Sequence, residues 1–124
     1  VAHAKERKYT SGTSLAEIET VQIHLAKMYN LVNSSVCAAK EATRSAAAGE
    51  EDALAKILSA RIIACEMVIE AGRLGMRVGG GKAYNKAGCM ERLLRDAYAG
   101  QIMAPSADVL TVWLGKAITG LPLV

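Results

Sequence analysis

Two stretches of helical periodicity, separated by one short breaker, leave this chain little room for any architecture except packed helices. From Ser14 to about Ala47, Ile18, Leu25 and Val32 recur every seven residues and are flanked by Val21, Met28 and Val36. That spacing lays an apolar stripe along one side of a long amphipathic helix. Ser14 followed by Glu17 reads as a capping box at its start. The segment AGEED, residues 48–52, interrupts the pattern and sets acidic side chains where they meet the positive end of a following helix. Leu54, Leu58, Ile62, Cys65 and Ile69 then recur at spacings of three or four, while Ile57, Ile63 and Met67 make other sides apolar. A second long helix packed by several neighbours is expected, and so short a breaker makes the pair an antiparallel hairpin.

The rest of the chain supplies shorter companions. Residues 90–99 read as a helix in which Glu91 with Arg95, and Arg92 with Asp96, stand one turn apart as exposed ion pairs. Pro105 breaks that element, and Ser106 caps a last helix bearing Val109, Val112, Trp113, Ala117 and Ile118, ended by Gly120 and Pro122. At the other end, VAHAKERKYTSG has the composition of the tail of a helix that started earlier and stops near Ser11 and Gly12. The fold class is therefore all-α, an up-and-down four-helix-type bundle over residues 1–124 as a single domain. Alanine is abundant, aromatics make up 4% and Phe is absent, which favours close helix packing over sheets.

Composition also excludes function classes. The net charge of +3 comes from 15 basic and 12 acidic residues spread along the chain, without the concentrated basic face of a nucleic-acid binder. No apolar run reaches the length of a membrane span, and the first residues lack the apolar core of a signal peptide. Cys37, Cys65 and Cys89 form no CxxC pair and read as buried, reduced thiols of a cytoplasmic protein. His3 and His24 have no partner at metal-ligand spacing and are expected at boundary positions, with Trp113 and the methionines at 28, 67, 76, 90 and 103 used in packing.

The glycine run RVGGGKAY, residues 77–84, raises the question of a phosphate loop. A P-loop requires a first glycine where Met76 stands, a hydroxyl where Ala83 stands, and a preceding strand. All three requirements fail, so the glycines by themselves read as a helix stop. Their neighbours point further. GGGKAY, then ERLLRDA and QIMAPSADVL, with KERKYTSGTSLAEIETVQIHLAKM upstream, together resemble the C-terminal helical domain of the acyl-CoA dehydrogenase family, flavoenzymes that desaturate acyl-CoA thioesters. Each motif is weak alone; their order and spacing across essentially the whole chain carry the resemblance.

The resemblance implies that the chain is the C-terminal part of a longer enzyme. It implies self-association as a dimer or tetramer, an acyl-CoA substrate in the complete enzyme, and a contribution to the FAD of a neighbouring subunit. Gly80 and Gly81 match the family glycines and Tyr84 the aromatic, while Arg77 replaces the family glutamine and Ala83 a glycine. The family's basic residue falls on Lys8, or on Arg7 if the loop carries an extra residue. Ser106 and Asp108 match a cofactor-contacting or helix-starting segment. The family's catalytic glutamate, which takes the acyl α-proton, corresponds to Ala104, and alanine cannot act as a base. Two alternatives stand beside the dehydrogenase reading: a free-standing structural or interaction module without catalysis, and a flavin oxidase or monooxygenase relative. The 124-residue chain alone is expected to be inactive.

Overall fold

The computed structural model describes residues 1–123. Six α-helices follow one another: α1 (Ala2–Glu6), α2 (Glu19–Ala48), α3 (Ala53–Tyr84), α4 (Met90–Ala97), α5 (Ala99–Ile102) and α6 (Ala107–Thr119). The architecture is the all-α, up-and-down bundle that the periodicity implies. α2 and α3 form the antiparallel hairpin, turning at Gly49, whose left-handed φ of 66° closes α2. The chain then returns along α3 through α4, α5 and α6. Leu94 lies against Gly72, Met90 against Gly75, and Gly100 against Cys65, so α4 and α5 run antiparallel to α3. The end of α6, at Ala117, Ile118 and Gly120, reaches the hairpin turn around Glu50 to Lys56.

The expected stripe of α2 holds in its first half, where Val21 is buried and Ile18, Leu25 and Met28 are half-buried, and fails in its second half. Val32 and Val36 are exposed. The positions turned inward are Val21, Met28, Ser35 and Ala42, interleaved with His24, Leu31, Ala38 and Ser45. Both sets repeat every seven residues, the first three residues after Ile18 and Leu25 and the second one residue before Leu25 and Val32. Small residues fill the second half of the seam, where Ala42 and Ser45 are buried. The α3 pattern holds better: Leu58, Cys65 and Ile69 are buried, although Leu54 and Ile57 are exposed.

Several local expectations are corrected. α1 ends at Glu6, because Arg7 turns extended and the chain folds into a small loop in which Lys8 bridges Ser14. The Ser14–Glu17 capping box forms, with the Ser14 amide donating to Glu17 Oε1 at 2.8 Å, but it caps a single 3-10 turn, and α2 starts two residues later at Glu19. The 90–99 helix stops at Ala97, and neither i,i+4 ion pair forms among the described residues; Arg95 turns to its neighbour Asp96 at 3.3 Å. Of the cysteines only Cys65 is buried, donating its thiol to the Gly100 carbonyl at 3.1 Å; Cys37 and Cys89 are exposed. Met103 is exposed as well. No described helix is long and apolar enough to cross a membrane.

A polar clasp holds the hairpin turn. Ser45, fully buried, donates to Glu50 Oε2 at 2.7 Å. Arg44 reaches Glu50 at 2.7 Å and also pairs with Glu41. Lys56 reaches back from α3 to Glu50 at 2.9 Å and to Asp52 at 3.0 Å. Arg44, then Lys56 and the Ser45 hydroxyl, hold the Glu50 carboxyl down at about 2, and Arg44 foremost does the same for Glu41. Both carboxyls normally titrate near 4.5. Since the folded values are depressed, the clasp contributes fully above pH 4.5 and its contribution is lost as pH falls towards 2.

Two outcomes follow for this framework. The urea midpoint should be level above about pH 5 and fall steadily below 4.5, with a shallower fall in Glu50→Gln and a smaller clasp effect in high salt. Gly72→Val, which drives a branched side chain into Leu94 on α4, should destabilise the chain by about 1–3 kcal/mol in the same denaturation experiment.

Candidate functional site

The glycine run lies inside α3 and breaks its path. Gly80 takes φ 56° and ψ −145°, a combination open almost only to glycine. The chain resumes one helical turn through Lys82 and Ala83 and leaves at Tyr84, which is 79% exposed. The glycines are thus more than a terminal stop, because they redirect backbone while keeping it uncovered. A side chain at Gly81 would meet nothing within 4 Å.

What stands beside this break is set by the N-terminal loop. The Arg7 carbonyl accepts the Leu15 amide at 2.8 Å, and the Tyr9 amide donates to the Thr13 carbonyl at 2.9 Å. Ala4 and Leu15 from the loop's two sides bury themselves with Val21 of α2, and Val78 of α3 packs on that cluster. This apolar anchor carries the loop to the end of α3. Arg7 Nη1 consequently comes within 3.9 Å of the position a Cβ would take on Gly80. Between the two candidates for the family's basic residue, it is Arg7 that the fold brings to the glycines; Lys8 is exposed in the bridge to Ser14.

Other candidates fall elsewhere. Arg77 is exposed on α3, at a cavity shared with Glu70, Arg73 and Leu94. Ser106 accepts the Val109 amide at 3.4 Å and caps α6, with Asp108 exposed in the first turn. These two lie on the return limb, just beyond the point where Gly100 meets Cys65. Cys65 and Gly80 are separated by about 22 Å of α3 at 1.5 Å per residue, so the capping pair and the glycine break are distinct contact areas. Ala104 is exposed and joined to Pro105 by a cis peptide.

The Arg7–Gly80–Gly81 corner fits an anionic group. A guanidinium offers a planar fork of donors to phosphate oxygens, and backbone without side chains permits close approach. Sequence spacing points to Lys8, or to Arg7 with one extra loop residue, and the packing of Ala4, Leu15 and Val78 sets Arg7 beside Gly80. His3 and Lys82, which line an apolar cleft beneath the same end of α3, gave no signal in sequence, because no motif links positions 3 and 82.

The solved structure of the FAD complex of PigA superposes with a TM-score of 0.84 at 19% sequence identity, over 97% of this chain and 30% of that chain. The present chain therefore spans less than a third of that protein's length. No curated protein sequence matches it. The family model for the acyl-CoA dehydrogenase C-terminal domain matches residues 1–119, nearly the whole chain and every segment that shapes the site. The chain belongs to the acyl-CoA dehydrogenase family, as a member of its C-terminal domain.

Proposed function

We propose that this chain is the C-terminal domain of an FAD-dependent acyl-CoA dehydrogenase-like enzyme that introduces an α,β double bond into acyl-CoA thioesters. Its part is to complete the flavin site of a neighbouring subunit and to pack subunits together. The observation that carries this reading is the Arg7 guanidinium held beside the open backbone of Gly80 and Gly81. Membership of the family and a fold neighbour that is an FAD complex support it.

When bound, the flavin supplies hydride acceptance. Within this chain, Arg7 neutralises and orients a phosphate of the dinucleotide, and Lys8 adds exposed positive charge. Tyr84 offers an exposed aromatic face for the adenine, and Arg77 contributes a second cation. Ser106 and Asp108 form a separate contact set on the α6 side. Ala104 can move no proton, so the α-proton of the substrate is taken by a carboxylate elsewhere in the assembled enzyme. Exposed Tyr29, Val32 and Val36 on α2, with Val68 on α3, form an apolar surface suited to self-association as a dimer or tetramer. A cytoplasmic location accords with this role.

The exposed methyl of Ala104 also favours a second reading, an oxidase or monooxygenase relative, since oxygen chemistry on a reduced flavin does not use that base. In the full-length protein, Arg7→Ala should weaken FAD retention about tenfold or more, with Gly81→Val acting in the same direction. Unchanged flavin absorbance per protein in both variants would sink the flavin role of this corner. Anaerobic addition of an acyl-CoA thioester should bleach the flavin and yield the enoyl thioester; hydrogen peroxide released in air at the same rate as substrate loss would transfer the assignment to an oxidase.

A further inference from the structure

The Arg7 guanidinium stands beside Gly80 without an ion-pair partner among the described residues. Whatever fixes it must therefore act through the backbone of its loop. That loop has little burial to rely on, since residues 7–13 are all exposed and the apolar anchor resumes only at Leu15. The amides of Leu15, Tyr9 and Gly12 donate to the carbonyls of Arg7, Thr13 and Tyr9 at 2.8, 2.9 and 2.9 Å. Exposed bonds of this kind contribute little singly, and so short a two-stranded hairpin is marginal by itself.

Glu17 acts next to the one bond that reaches Arg7. Its Oε1 accepts the Ser14 amide at 2.8 Å, while its own amide donates to the Ser14 carbonyl at 3.1 Å. Ser14 is thereby held on both sides, at the residue that bridges Lys8 and immediately precedes the Leu15 amide. The hydrogen bonds from Ser14 foremost, and then the charge of Lys8, hold the Glu17 carboxyl below its ordinary 4.5. At neutral pH it is a charged and hence strong acceptor. The same carboxylate offsets Lys8 and leaves the charge of Arg7 unmatched beside the glycines. We infer that Glu17 is a positioning residue: through Ser14 and Leu15 it holds the Arg7 backbone so that the guanidinium stays over Gly80, where an anionic ligand is taken. The flavin part of this assignment rests on the role proposed above for the Arg7 corner, whereas the bracing of the loop does not.

The test compares Arg7→Ala, Glu17→Ala, Glu17→Gln and the Arg7→Ala/Glu17→Ala double variant of the full-length protein. FAD affinity is read by flavin fluorescence. In the flavin-free proteins, the rate of tryptic cleavage after Arg7 and Lys8 is followed by mass spectrometry. Glu17→Ala should weaken FAD binding about three- to tenfold and speed cleavage in the loop by a similar factor. Cleavage after Lys40, in the middle of α2, should stay unchanged and show an intact bundle. Glu17→Gln keeps an acceptor oxygen for the Ser14 amide and should return both readings to within about twofold of the wild type. Because Glu17 acts through Arg7, the double variant should hold FAD no worse than Arg7→Ala alone. The positioning role is overturned by unchanged loop cleavage in Glu17→Ala, by equal acceleration at Lys40, by a glutamine variant as impaired as the alanine one, or by additive losses in the double variant. It is overturned too if Arg7→Ala weakens FAD binding and Glu17→Ala does not. FAD affinity unaffected by Arg7→Ala would instead sink the flavin reading, and faster loop cleavage in Glu17→Ala would then still establish the brace.

Discussion

The close approach of the return limb to α3 is the constraint on which the rest of this domain depends. Leu94 and Met90 of α4 sit over Gly72 and Gly75, where an added side chain would have to displace theirs, and Gly100 rests on the thiol of Cys65. Three glycines along one line of contact let α3 be packed from the α4 side and the α2 side together. That is why its apolar residues occupy more than one face. With α3 held on both sides, the left-handed break at Gly80 has a fixed place in space, and the Arg7 loop anchored on Val78 has something to meet.

The two ends of the bundle treat charge in opposite ways. At the hairpin turn Glu50 is shared by Arg44, Lys56 and the buried Ser45 hydroxyl. Those contacts hold both Glu50 and Glu41 ionised and join α2 to α3. At the glycine end, neither Arg7 nor Lys82 has an ion-pair partner among the described residues. Cations left unmatched beside open backbone suit ligands that bring their own negative charge. The charge clasp lies at one end of the long helices, and the unpaired Arg7 and Lys82 lie with the apolar anchor at the other.

How much of this was readable from the residues depended on the size of the side chains in each seam. The hairpin, the break at residues 48–52, the Ser106 cap and the Gly120 stop were all legible, because caps and breakers act locally. In α2 the expected stripe holds at Ile18, Val21, Leu25 and Met28 and departs only beyond them. Apolar bulk pointed to Val32 and Val36, whereas the contact line runs through Ser35, Ala38, Ala42 and Ser45. Two long helices that approach closely need small residues between them, and hydrophobicity does not identify those positions. The nearness of Arg7 to Gly80 was likewise hidden, since it follows from how an irregular loop packs. The motif order pointed to the family and the glycine corner, but it did not show that Ser106 and Asp108 lie far along α3 from that corner.

The rigid length of α3 between its cap at Asp52 and the break at Gly80 has an evolutionary consequence. Each helical residue advances the chain by about 1.5 Å and rotates it by about 100°. One residue gained or lost in that span would turn Gly80 away from Arg7 and swing Gly72 and Gly75 off α4. The turns at residues 49–52, 85–89 and 103–106 carry no such phase relation. Within this lineage, length variation should therefore collect in those turns and be absent from α3, where only substitutions, or insertions of nearly whole heptads, keep the two sides of the helix facing their partners.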